Sequence, residues 1–230
     1  MKRFRIVCAA LLLLAGAAVL LWPGLQGGRI EKAEREAVRE FRALPKTAEK
    51  EERAFAALYE EMTAYNRRIF GERQRELKDP WSCEQSAFDL AAYGPDSDVI
   101  AVLDVPSCGI QMPVYLGASQ ENLLRGACVV GGTSMPMGGE NTNCVIAGHR
   151  SMYSAAMFRH LDMARPGDTV RITNLWEELE YTVRETRIIS PGDVEEILIR
   201  EGRDLVTLMT CHPYAGGSGR RLLVICERTG

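Results

Sequence analysis

The chain has 230 residues, of which 46% are hydrophobic and 26% charged, a composition that excludes a disordered or collagen-like polymer. Lys and Arg number 28 against 31 Asp and Glu, and the net charge of −3 lacks the basic excess of a nucleic-acid binder. Seven cysteines are too few for a disulfide scaffold, and an odd number leaves at least one thiol to be explained.

The first element is apolar. Ile6 through Trp22 carries no charge and follows Lys2, Arg3 and Arg5. As a helix it rises about 26 Å, and Phe4 and Leu25 extend it toward the ~30 Å of a hydrocarbon core. The run is longer than the apolar part of a cleaved signal, and Ala15-Gly16-Ala17 lies within it rather than after it, so it reads as an uncleaved anchor over residues 4–25. Positive charge before the span predicts a cytoplasmic N-terminus and an extracellular remainder, a single-pass cell-membrane protein. Residues 1–28 thus form the first unit.

Residues 29–78 change character, with nearly half of them charged. Phe55, Leu58, Met62, Tyr65 and Ile69 step by three and four, which predicts an amphipathic helix. Ile30, Ala37, Phe41 and Leu44 predict a shorter helix before it, stopped at Pro45. This is a charged helical stalk whose apolar stripe either faces solvent or docks on the C-terminal domain. Residues 79–97 form a linker.

From residue 98 to 230 short apolar runs alternate with turn signals. Strands are predicted at 99–105, 110–115, 128–130, 144–147, 169–173, 179–189, 205–209 and 222–226, with Pro-Gly-Asp turns at 166–168 and 191–193. The helical inserts at 122–125, 155–161 and 194–200 are too short for crossovers in a doubly wound sheet. The fold class is therefore mainly β, an eight-stranded barrel with short helical inserts behind an N-terminal transmembrane helix and amphipathic helices.

Few residues are left to carry chemistry. Of three histidines, His160 reads as a surface residue, and His212 follows Cys211 directly, so on a strand it points to the other face. His149 closes the run 144–148, at a strand end where functional side chains are displayed. Cys211 ends a second apolar run, and Arg220-Arg221 opens the last strand after a Gly-rich turn. There is no Cys-x-x-Cys and no His-x-x-x-His, so neither metal nor cofactor is expected.

Thr207-Leu208-Met209-Thr210-Cys211-x-Pro213-Tyr214, a short loop, then Arg221-Leu222-Leu223-Val224-x-x-Glu227-Arg228 resembles the C-terminal half of the sortases. Residues 138–143 with Val145-Ile146-Ala147-Gly148-His149-Arg150 resemble that family's histidine segment, and the segments at 112–115, 132–136, 158–162 and 179–183 fall in the expected order. The resemblance runs from Val99 to Arg228 and is closest to class C, the pilus-assembling group. It implies a cysteine transpeptidase in which Cys211 attacks a carbonyl of a Leu-Pro-x-Thr-Gly-like sorting motif to form a thioacyl-enzyme. His149 would move the amine proton, and Arg221 would hold the oxyanion. The partners implied are surface or pilin proteins bearing that motif, and an amine acceptor on a pilin lysine or a peptidoglycan precursor.

Family spacing would favour Arg220, nine residues after Cys211, whereas the apolar alternation of the last strand favours Arg221, and the oxyanion role is assigned to Arg221. Thr210 and Tyr214 are expected to line the substrate groove. By the same resemblance Asp79-Pro80-Trp81 would form a lid, Asp79 pairing with Arg221 and Trp81 covering Cys211. Cys83, two residues further on, is the remaining thiol expected nearest Cys211. Many class C members carry a second span after the barrel, and this sequence has no second apolar run of spanning length. His212 in place of a threonine is reminiscent of class B. A cell-wall cysteine peptidase or amidase, which would release product to water, and a non-catalytic surface module are the alternatives.

Overall fold

A computed structural model describes residues 2–44, 49–75, 77, 88–93, 98–214 and 219–229. Asp79, Trp81 and Cys83, on which the lid expectation rests, lie outside the described residues.

Helix α1 runs from Lys2 to Arg42. The span and the short helix predicted after it are therefore one helix of 41 residues, continuing through Pro23. Proline removes one backbone donor, and with long helical flanks on both sides that loss does not end the helix. Its first half is bare, with Leu12, Leu13 and Leu20 each more than 70% exposed, so nothing among the described residues covers these leucines. This is the one helix among the described residues long and apolar enough to cross a membrane. Beyond Leu25 the helix turns toward the protein, and Gly27, Glu34, Val38 and Phe41 are buried.

Helix α2 spans Glu49–Gly71. Its apolar stripe docks, which decides between the two arrangements open to the stalk. Leu58 and Met62 are fully buried, and Phe55 and Ile69 nearly so. Two amides then staple it to the barrel. The Asn66 carboxamide accepts from the Met135 N–H at 2.7 Å and donates to the Met135 carbonyl at 3.3 Å. Gln74, just past the helix, accepts from the Ile199 N–H at 2.6 Å and donates to the Gly132 carbonyl at 3.0 Å.

Eight strands close a barrel. They are β1 (Val99–Val105), β2 (Ile110–Leu116), β3 (Ala127–Val129), β4 (Thr142–Ala147), β5 (Thr169–Asn174), β6 (Glu178–Ile189), β7 (Asp204–Cys211) and β8 (Arg221–Arg228). The order around the barrel is β1-β2-β3-β4-β7-β8-β6-β5. Closure leaves no free sheet edge. Of the helical inserts, α3 (Gln120–Arg125) forms an α-helix capped by Ser119, and the other two shrink to single 3₁₀ turns at Leu161–Met163 and Val194–Ile197.

Strand alternation sorts the side chains into two apolar clusters. Cys144, Ile146, Val206, Leu208, Leu222, Val224 and Cys226 belong to the main core. Val145, Leu205, Met209, Leu223 and Ile225 lie on the opposite face of the same strands and pack with Ile189 and Ile197. That second face leads to the candidate site.

Candidate active site

The antiparallel pairing of β7 and β8 ends on the register pair Cys211 and Arg221. Directly opposed residues project to the same face with Cβ atoms about 5 Å apart. Both continue the odd-numbered face that buries Leu205, Met209, Leu223 and Ile225. Arg221 is the first residue of β8, while Arg220 precedes it, is exposed, and accepts the His212 N–H on its carbonyl at 2.9 Å. The Arg221 guanidinium Nη1 donates to the carbonyls of Gly219 and Arg220, at 2.7 and 3.2 Å.

His149 arrives from the other side. β4 lies parallel to β7 with Ala147 opposite Met209, and the Gly148 N–H donates to the Met209 carbonyl at 3.1 Å, so the pairing continues one residue past the strand. His149 is thereby delivered to the end of the barrel where β7 ends and β8 begins. The site thus draws on three adjacent strands.

The local backbone around His149 is held tightly. Its carbonyl accepts the Phe158 N–H at 3.1 Å, and a Cβ on Gly148 would meet the Phe158 ring at 3.0 Å. Thr210, expected at the groove, is instead 2% exposed, and its hydroxyl donates to the Gly148 carbonyl at 2.8 Å. Strand alternation turns it away from the Cys211 face, so it fixes β4 to β7 beside the site rather than meeting solvent. Tyr214 is 52% exposed, with Ser151 donating to its hydroxyl at 3.4 Å and the Arg159 guanidinium over its ring, so it bridges the segments after Cys211 and His149. Arg150, beside His149, is buried and paired with Asp162 at 2.7 Å.

The electrostatics separate the candidate groups from the bystanders. Burial pushes the His149 pKa below the ordinary imidazole value, which favours the neutral ring. Cys108, Cys128, Cys144 and Cys226 are buried, and burial raises the thiol pKa of Cys108, Cys144 and Cys226. Among the described residues Cys211 is the one exposed cysteine. His160 is exposed, as expected of a surface residue. No group of three or more metal-ligating side chains occurs among the described residues.

Asn66 and Gln74 were not legible as site residues. They hold the 132–135 segment, which leads into β4, against α2. A lone amide on a helix face carries no sequence signal for such a role.

Comparison with known proteins gives this geometry a family. Residues 103–229 match the sortase domain model. Sortase A of Bacillus anthracis is 27% identical over 165 residues, covering 70% of this chain and 76% of that protein. The structure of Streptococcus agalactiae sortase C1 is 32% identical with a TM-score of 0.69, covering 86% of this chain and 96% of that one. Streptococcus pneumoniae sortase C is 30% identical with a TM-score of 0.71, covering 86% and 97%. The structural neighbours include class C pilus sortases. A family domain over more than half of the sequence, on an eight-stranded closed barrel that those structures share, means that this chain belongs to the sortase family.

Proposed function

We propose that the chain is a membrane-anchored transpeptidase of the class C kind that cleaves a Leu-Pro-x-Thr-Gly-like sorting motif and joins the acyl fragment to an amine. The observation carrying this reading is the opposition of Cys211 and Arg221 across β7 and β8, with His149 delivered beside them from β4. The thiol gives its proton to the neutral His149 ring, and the thiolate Sγ attacks the threonyl carbonyl carbon. Electron density moves to the carbonyl oxygen, where Arg221 supplies a fixed positive charge and hydrogen-bond donors. Collapse re-forms the carbonyl and breaks the C–N bond, with His149 protonating the departing amine. The acceptor amine then attacks the thioester, loses its proton to His149, and expels the Cys211 thiolate.

Acceptors are a pilin lysine or a peptidoglycan-precursor amine, and the donors are surface or pilin proteins with a sorting motif. Lys2, Arg3 and Arg5 ahead of the apolar helix support a cytoplasmic N-terminus and an extracellular barrel. The test is incubation with a sorting-motif peptide, with and without an amine acceptor. An amine adduct that disappears in Cys211→Ala supports transpeptidation, whereas hydrolysis unaffected by the amine would mean a peptidase. Arg221→Ala is expected to abolish turnover and Arg220→Ala to spare it. The reverse pattern would overturn the choice of arginine.

A further inference from the structure

The strongest unexplained feature outside the reacting groups is the loop C-terminal to His149. Met152 and Ala155 form an isolated bridge, with the Ala155 N–H donating to the Met152 carbonyl at 2.8 Å, so Tyr153 and Ser154 form a tight turn. Tyr153 takes a φ of 51° there, a left-handed conformation that glycine adopts freely and an aromatic residue does not. Its side chain is 58% exposed. Glycine would take this turn position without strain. The sequence instead holds a large amphipathic ring out from the protein at a conformational cost.

Helix α1 fixes where that ring sits. Gly27 is pressed on this same turn so closely that a Cβ there would lie 2.7 Å from the Ala155 nitrogen and 2.7 Å from the Ser154 Cβ. Gly27 is only about 3 Å of helix rise beyond Leu25 and about 8 Å beyond Trp22, the last residues of the apolar span. The interfacial layer on each side of a bilayer is about 5–8 Å deep. At the contact itself the height above the hydrocarbon is set by the helix rise, and an ordinary tilt moves the turn up or down by only a few ångströms.

We propose that the Tyr153 turn lies in the phospholipid headgroup layer and that the barrel end carrying His149, Cys211 and Arg221 faces the membrane in which α1 is set. This rests on reading α1 as the membrane span. Tyrosine suits that layer, since its ring prefers the acyl boundary and its hydroxyl the polar side. Arg159, half-buried, donates to the Ser154 carbonyl and lies over the ring of the exposed Tyr214, which adds a cation beside the turn for anionic headgroups to meet. A membrane-facing site holds its reacting groups at the height where a chain segment leaving the bilayer first becomes accessible.

The test uses the full chain in nanodiscs of phosphatidylglycerol and phosphatidylethanolamine, with p-benzoylphenylalanine installed at Tyr153, at Leu14 or at Glu201. Leu14 is in the span, and Glu201 precedes the start of β7, about 25 Å from its Cys211 end along an eight-residue strand. After irradiation, mass spectrometry should find lipid adducts at Leu14 and Tyr153, with about tenfold more at Tyr153 than at Glu201. Adducts at Leu14 without adducts at Tyr153 would leave the span intact and overturn the inference. Adducts at neither would overturn the span reading and the inference with it. Tyr153→Gly should hold or raise the Tm, because it relieves the turn. A lowered Tm would assign Tyr153 a packing role and also overturn the inference.

Discussion

Replacing Glu34 by glutamine tests how the membrane-proximal helix is held to the barrel. Glu34 lies about two and a half turns beyond Leu25, outside the apolar span. It is only 7% exposed, and its Oε1 has no hydrogen-bond partner among the described residues. Burial, reinforced by Glu31 and opposed by Arg35, pushes its pKa from 4.5 up to about 7. On the barrel side it acts on Tyr115 of β2, whose ring lies beneath the Arg125 guanidinium of α3 and which also interacts with Cys128 of β3. A carboxyl whose pKa is raised on docking favours the docked state fully below its undocked pKa. That contribution is lost as pH rises through the window from 4.5 to about 7. A shift of that size corresponds to about 3 kcal/mol of docking free energy withheld above pH 7. Glu34→Gln keeps the shape and removes the charge. Hydrogen exchange of the amides from Glu34 to Arg42, in the full chain in detergent, reads the docking equilibrium directly. The variant should be protected about 10²-fold more than wild type at pH 7.5, and the two should converge near pH 4.5. A constant difference across that window, or none at any pH, would refute the reasoning.

Three further outcomes rest on the same contacts and on the family resemblance. Leu58→Ala removes a fully buried side chain between α2 and the barrel and should cost about 2–5 kcal/mol in denaturant unfolding, whereas a solvated stalk would show almost no change. Gly148→Ala drives a methyl against the Phe158 ring, so turnover should fall at least tenfold with the overall fold retained by circular dichroism. Wild-type turnover in that variant would mean that the His149 backbone tolerates displacement. For the lid that the family resemblance implies, Asp79→Ala with Trp81→Ala should speed labelling of Cys211 by a small maleimide, and equal rates would remove the case for a lid.

Much of the barrel is legible because each strand advertises itself twice, by its apolar run and by the turn residues that end it. Leu222-Leu223-Val224 fixes the alternation of β8, and the observed register opposes Arg221 to Cys211. His149 and Cys211 stood out because strand ends are where polar side chains leave an apolar run. What stayed hidden depends on partners distant in sequence. The stripe from Phe55 to Ile69 would look the same whether solvated or docked, and only the barrel beneath it decides. The span and the helix after it read as separate elements, yet α1 continues through Pro23 because the helix is long on both sides. Thr210 reads as a polar residue beside a nucleophile, and its burial is visible only once β4 lies next to β7.

On the proposed mechanism Cys211 forms a thioester which an amine, rather than water, resolves. Intact-protein mass spectrometry of the full chain mixed with a sorting-motif peptide measures this directly. The expected result is an added mass equal to the acyl fragment, mapped to Cys211, absent from Cys211→Ala, trapped longer in His149→Ala, and discharged on adding an amine acceptor. An adduct on another cysteine, or peptide turnover that persists in Cys211→Ala, would contradict it.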